Sequence, residues 1–230
     1  MPSMSIWSRI TESLSAIGGS VMGLLTKLTK GRVTLPEKSI AFTIGLIALG
    51  AKMAKADGVV TGEEVLAFKQ VFEVPPSELA GVARVFNLAK QDTAGYEAYA
   101  RQIAKLFNSK AAILEDLLDA LFHIAKADDA VHPAELAYLA SVAEIFGFSE
   151  HDFVRIKARH VASEVSYTVL GLDRNASLDQ VKRRYRKLVH EHHPDKHIAA
   201  GMPQELIAIT TRRLQRINEA YERILRECPA

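Results

Sequence analysis

The sequence predicts an all-α chain, and three observations predict it. Gly and Pro are sparse, at 13 and 8 among 230 residues. Alternating runs of β-branched residues are almost absent, and apolar residues recur at three- and four-residue spacing from Ile40 to Ile156, the period of helices with one buried face. With 48% apolar and 24% charged residues the chain is globular in composition, and its length allows two domains. A net charge of +2 is too small to argue by itself for nucleic acid or membrane. One cysteine, Cys228, excludes an internal disulfide and a zinc ribbon and suits a reducing cytoplasm.

The first element is an amphipathic N-terminal helix, assigned to residues 1–35. Trp7, Ile10, Leu14, Ile17, Val21, Leu24 and Leu28 step by three and four, a two-position heptad seam. Residues 5–28 also hold Arg9, Glu12 and several hydroxyls, which argues against a membrane span, and there is no compact apolar core with a cleavage site to make a secretory signal. Three roles stay open. The helix lies in a membrane interface with Trp7 at headgroup depth, pairs with a second copy along its seam, or packs on the domain that follows; the first two are favoured. Gly18, Gly19 and Gly23 weaken it as an isolated helix.

Residues 36–162 form the second unit. Helices are expected near 36–56, 62–73, 76–91, 95–107, 110–127, 133–146 and 150–160, with Pro36, Pro76 and Pro133 near helix starts, where a missing N–H costs little. The run Ile40 to Ala51 is too short for a span and is a buried core helix. An internal repeat organises the unit: Lys55-Ala56-Asp57-Gly58-Val59-Val60 and Lys126-Ala127-Asp128-Asp129-Ala130-Val131 align at an offset of 71 residues, with Ala54/Ala125 before them and Glu64/Glu135 after them. Each copy reads as a helix end, a tight turn and a helix start, which makes two similar helical hairpins. Asp57, Glu64, Asp128 and Glu135 are the candidate chemistry here. Matched carboxylates suit a hard divalent cation, but each is also placed to cap a nearby backbone end. Thr61 and Glu64 form a T-x-x-E box, and Glu135 follows His132 and Pro133. Capping is the first assignment for the four and a cation the second.

The third unit, residues 163–230, opens with Ser166-Tyr167-Thr168-Val169-Leu170-Gly171-Leu172. Ser177 with Gln180 is an S-x-x-Q capping box that starts a helix at Leu178. At about 100° per residue Leu178, Val181, Tyr185, Leu188, Val189 and His192 share one face, and Arg183, Arg186, Lys187 and His190 lie opposite. Five of the six positions Lys182 to Lys187 are Lys or Arg. One face packs; the other is a cationic stripe. Pro194 cannot continue the helix, so His193-Pro194-Asp195 is expected in a loop. A further helix begins near Pro203 and carries Leu206, Ile209, Leu214, Ile217, Tyr221, Ile224 and Leu225 largely on one side.

The three blocks Ser166–Leu172, Ser177–Val189 with His193-Pro194-Asp195, and Ile217–Leu225 resemble, in this order, the J domain of DnaJ-type proteins. The loop Lys196 to Glu205 is similar to that of the DjlA subgroup, and the repeated hairpins resemble the tellurite-resistance TerB family. The resemblance implies a partner, a DnaK-type heat-shock chaperone whose ATP hydrolysis the J domain stimulates. It also implies the contacts: His193, Pro194 and Asp195 at the centre, with Lys182, Tyr185, Arg186, Lys187 and Lys196 as the docking face. Asp195 suits a charge-assisted bond from a partner arginine, and the cations suit an acidic surface. Two positions depart from the family. His192 stands where Tyr is usual before the tripeptide, and Leu214 where Phe is usual. DjlA-type proteins carry an N-terminal membrane span, which residues 5–28 do not match. The location implied is cytoplasmic, with a peripheral place at the inner membrane face left open.

Two other classes compete. A metal protein, in which the J-like hairpin is only an interaction module, would use His190, His192, His193 and His197. Residues 190 and 192 point different ways on a helix, however, and H-E-x-x-H is absent. No metal or catalytic set is therefore assigned. A nucleic-acid reader using Lys182 to Lys187 is disfavoured by Glu191 and Asp195 nearby and by few stacking aromatics.

Overall fold

Helix α3 (Leu35–Ala56) is the axis of the N-terminal unit. Its 22 residues are apolar on nearly every side, which suits a helix surrounded by others. Thr34 starts it: its N–H and its hydroxyl both donate to Glu37 Oε2, at 2.8 and 2.7 Å, so a first-turn carboxylate closes the free backbone end. The structure is a computed structural model and describes residues 6–16, 19–29, 34–56, 71, 74, 76–91, 95–107, 111–126, 131–161, 166–204 and 207–227. All regular structure among the described residues is helical.

Ahead of α3 come α1 (Ile6–Ser15) and α2 (Val21–Leu28). After it follow a 3-10 turn at Pro76–Glu78, then α4 (Leu79–Gln91), α5 (Tyr96–Phe107), α6 (Ala111–Ala125), α7 (Pro133–Ile145) and α8 (Glu150–Val161). Helix α3 packs against α1, α2, α4, α5, α6 and α7. Phe42 of α3 meets Phe107 of α5 edge-on at 5.5 Å, and the Tyr138 hydroxyl of α7 donates to the Leu49 carbonyl at 2.8 Å. The described helices of this unit fall near where the sequence places them. Most of the 62–73 helix, and Asp57, Glu64 and Asp128, lie outside the described residues. Glu135 is buried, and its carboxylate accepts from the His132 N–H at 2.9 Å, which is the capping role expected of it.

The N-terminal element departs from expectation. One seam-bearing helix becomes two, because the chain turns at Gly19 with φ +81°, a conformation that costs glycine little. Ser20 then caps α2, its hydroxyl accepting from the Gly23 N–H at 2.9 Å. The seam is not free for lipid or a second copy. Trp7, Ile10, Leu14, Val21 and Leu24 are all within 2% of full burial, packed on α3, α4 and α5. The physical reason is area: the open faces of α3 and its neighbours offer a dry partner within the same chain, and burying a large apolar side chain is worth about 1.5–3 kcal/mol. Among the described residues no helix is long and apolar enough to cross a membrane.

The C-terminal unit comprises α9 (Ser166–Leu170), α10 (Leu178–Glu191), α11 (Pro194–Ala200) and α12 (Ile207–Glu227). Its own small core is Leu170, Val181, Leu188, Ile217, Ala220 and Ile224, flanked by Tyr185 stacked on Tyr221 at 3.9 Å. Helix α10 opens with the expected box: the Ser177 hydroxyl accepts from the Gln180 N–H at 3.3 Å, and Gln180 Oε1 accepts from the Ser177 N–H at 2.7 Å. The tripeptide does not lie in a loop. It opens α11, with His193 as N-cap and Pro194 in the first turn, where proline's fixed φ and missing N–H fit a helix start. Helix α11 stops at Gly201, φ +105°, where a Cβ would also stand 2.6 Å from Lys38 Cβ.

The two units share an interface. Helix α12 packs on α6 and α9 packs on α8, and Ala200, Met202 and Ile209 join the core of the N-terminal unit. Ser39 of α3 donates its hydroxyl to the Gly201 carbonyl at 2.9 Å.

Because Trp7 is the one tryptophan and is only 2% exposed, its fluorescence reports directly on the seam. Blue-shifted emission that lipid vesicles leave unchanged is expected. A vesicle-dependent shift would mean that α1 leaves the core.

Candidate functional site

Helix α10 is buried along one face and open along the other, and the turn into α11 continues the open face. Lys182, Arg186, Lys187, His193, Asp195 and Lys196 are exposed, while Tyr185 and Pro194 are half-buried. Tyr185, Arg186, Val189, His190, His193 and Lys196 line one shallow groove. Of the residues expected from sequence, Tyr185, Arg186, His193 and Lys196 line this groove together with Val189 and His190, while Lys182, Lys187, Pro194 and Asp195 lie outside its lining. Lys182 stands one turn before Arg186, whose Nε donates to the Lys182 carbonyl at 3.2 Å. Lys187 faces Glu191 at 3.8 Å, an exposed pair of little energetic weight. The Tyr185 hydroxyl donates to Asn218 Oδ1 at 3.2 Å, which fixes α10 to α12.

The tripeptide is held from within. His193 Nδ1 accepts from the Asp195 N–H at 3.2 Å, and Asp195 Oδ2 lies 3.7 Å from that nitrogen. The Asp195 side chain is 86% exposed, so most of its acceptor capacity faces outward. On either side of the tripeptide the chain is buried: His192 and His197 are 1% and 2% exposed. Exposure therefore alternates sharply over six residues, and the open groups ride on closed ones.

Beneath this surface lies a buried ionic cluster between the two units. Glu115, Asp116 and Asp119 project from α6, an otherwise apolar helix. Arg213 of α12 enters among them: Nη1 donates to Asp116 Oδ1 at 2.8 Å and to Asp119 Oδ2 at 2.7 Å, and Nη2 donates to Glu115 Oε1 at 2.6 Å. Arg159 of α8 also bonds Glu115, and His160 Nε2 lies 2.7 Å from Asp119 Oδ1 while its ring stacks on Phe122 at 4.8 Å. Asp116, 0% exposed, faces His197 Nδ1 at 3.0 Å and His192 Nδ1 at 3.4 Å. Burial alone would raise all three carboxyls. The Arg213 guanidinium overrides it, holding Glu115, with help from Arg159, at about 2 and Asp116 and Asp119 below their ordinary range. In turn, burial lowers Arg213 but the three carboxylates more than restore it, so its pKa is raised.

None of Glu115, Asp116, Asp119, Arg159 or Arg213 stands out from motif spacing, yet two signals were present. Three acids interrupt the apolar run of α6, and Arg213 lies four residues after Ile209 and four before Ile217, on the buried face of α12. His192 and His197 belong to different elements, His192 closing α10 and His197 standing within α11, and the turn at the tripeptide brings their rings to 5.9 Å.

The pH dependence has a definite sign. Because Glu115 is held at about 2, below its ordinary 4.5, it adds stability that is fully present above about pH 4.5 and is lost as pH falls through that range. Chemical denaturation from pH 7 to pH 2.5 is expected to show this loss, and Glu115→Gln to flatten it. Stability independent of pH over that interval contradicts the assignment.

The family described as Tellurite resistance protein TerB matches residues 43–158, and the DnaJ domain matches residues 165–227. Among curated relatives, the co-chaperone protein DjlA of Photobacterium profundum is 28% identical, covering 85% of this chain and 81% of its own. That of Vibrio cholerae is 26% identical over 83% and 79% of the two chains, and that of Escherichia coli K12 is 25% identical over 96% and 97%. No solved structure matches. With a TerB domain followed by a DnaJ domain, and similarity to these co-chaperones over most of its length, the chain belongs to the DjlA-like J-domain proteins.

Proposed function

We propose that this co-chaperone docks a DnaK-type heat-shock chaperone on the open face of α10 and α11 and accelerates its ATP hydrolysis. The observation that carries the proposal is the turn at His193-Pro194-Asp195: two exposed polar groups and a proline at the end of a cationic helix face, held between two buried histidines. Lys182, Arg186, Lys187 and Lys196 would steer an acidic surface into register, and Tyr185 would give it a flat apolar rest. Asp195 would accept charge-assisted hydrogen bonds from a partner guanidinium. No covalent bond changes in this chain; the effect on the partner is a shift between its conformations, produced by binding one of them better.

The N-terminal unit is then a regulatory or targeting module that presents the docking face. A cytoplasmic place is supported by the single cysteine. A membrane surface or second copy reached through residues 5–28 would require the α1–α2 seam to leave the core. The alternative of a metal-binding stress protein with a merely adhesive hairpin is not favoured, because the DnaJ match runs through α9 to α12, tripeptide included.

In single-turnover assays the purified chain is expected to accelerate ATP hydrolysis by a DnaK-type chaperone. His193→Gln should abolish the acceleration with helical content unchanged. No stimulation, or stimulation indifferent to that substitution, overturns the proposal. Steering has its own signature. Combined Lys182→Glu and Arg186→Glu should weaken docking about tenfold or more at low ionic strength and progressively less as salt rises. A loss that salt leaves unaltered would place these cations outside the interface.

A further inference from the structure

We infer that Asp116, His192 and His197 form a binding site for a divalent transition-metal ion of the zinc type, at the seam between the two domains. The three residues are buried, and their ligand atoms lie within 4.8 Å of one another. Asp116 to His197 is 3.0 Å and Asp116 to His192 is 3.4 Å. A tetrahedral zinc shell, with bonds of about 2.0–2.1 Å, places its ligands roughly 3.3 Å apart. Those two approaches, made to different oxygens of Asp116, bracket that spacing, while the three ligand atoms together spread over up to 4.8 Å, so binding would draw the histidines inward.

Three further observations point to a cation there. His192 Nδ1 is sealed from solvent, and its recorded polar neighbour is Asp116 Oδ1 at 3.4 Å, the long end of the range for a hydrogen bond. His197 is oriented as metal-ligating histidines are: its Nε2 bonds the Glu191 carbonyl at 3.1 Å, which turns Nδ1 toward Asp116. If Nε2 carries the proton of a neutral ring, Nδ1 and the carboxylate face each other as two acceptors, and a cation between them removes the conflict. The nearby cations are spread unevenly. Arg159 lies on Glu115 and Asp119, Arg155 on Glu115 and His160 on Asp119, while Arg213 is shared by all three carboxylates. Arg213 takes Asp116 Oδ1; the other oxygen, Oδ2, is the one nearest His197. The Thr210 hydroxyl, 3.2 Å from Oδ2 and 3.5 Å from His197 Nδ1, stands where it could support a fourth ligand.

The site would tie both flanks of the tripeptide to the TerB domain, since His192 precedes it, His197 follows it and Asp116 belongs to α6. Metal would set how firmly the docking turn is held. This inference rests on the seam geometry and does not depend on the partner proposed above.

The test uses the full chain with Cys228→Ser, which removes its single thiol. Titration of the chelator-treated protein with Zn2+ is expected to show one ion bound per chain and a higher melting temperature. Co2+ should give the intense visible absorption of tetrahedral coordination. His192→Phe, which keeps the packed face filled, and His197→Gln should each weaken binding about tenfold or more, whereas His193→Gln should not. Absent uptake, a weak six-coordinate Co2+ spectrum, or uptake equal in all variants overturns the site and leaves a protonated histidine as the balancing cation. Should a variant fail to fold, the Co2+ spectrum of the parent decides alone.

Discussion

Arg213 inserted among Glu115, Asp116 and Asp119 is the contact on which the relation of the two domains depends. Each of these groups would be costly to bury alone, because desolvating an ion costs several kcal/mol even after relaxation. Together they offset one another: the guanidinium offers donors in a fixed plane, and acids one turn apart on α6 receive them. The arrangement is demanding in direction as well as in charge. An apolar contact between α6 and α12 would tolerate sliding, whereas bonds of 2.6–2.8 Å to three carboxylates fix rotation and register at once.

That fixation reaches the surface through Asp116. Its partners His192 and His197 are the residues that bracket the tripeptide, and Gly201, at the end of α11, lies so close to α3 that a side chain would collide with Lys38. Helix α11 is thus held at its start and its end by the TerB domain, while His193, Asp195 and Lys196 remain outside. Among the described residues the C-terminal unit's own core has six buried members, ringed by partly buried ones, and the larger bundle adds support for the turn. The TerB domain is thus the platform against which the His193-Pro194-Asp195 turn is oriented.

Much of this was legible in the residues, and the exceptions share a cause. Helix positions, the capping box at Ser177 and the cationic face of α10 follow from local period and local hydrogen bonding, which sequence displays directly. The seam Trp7 to Leu24 was equally visible, but an apolar stripe does not state its partner, and only the tertiary fold turns it toward α3. The break at Gly19 and the short helix α11 depended on positive φ at glycine and on Pro194 serving as a helix start after ending another. The ionic cluster was hardest to foresee, since it joins residues about a hundred positions apart. Its faint trace was polarity in the wrong place, three acids on an apolar helix and an arginine on a buried face.

The most direct measurement is the unfolding of Arg213→Ala, followed by hydrogen exchange resolved to each domain. Removing one partner of a buried ionic network leaves unpaired charge inside, so a loss of about 3–5 kcal/mol is predicted. Exchange protection in α9 to α12 should then fall independently of α3 to α7, splitting a single transition into two. A variant within about 1 kcal/mol of the parent, with both domains still protected together, would contradict the claim that this cluster holds them.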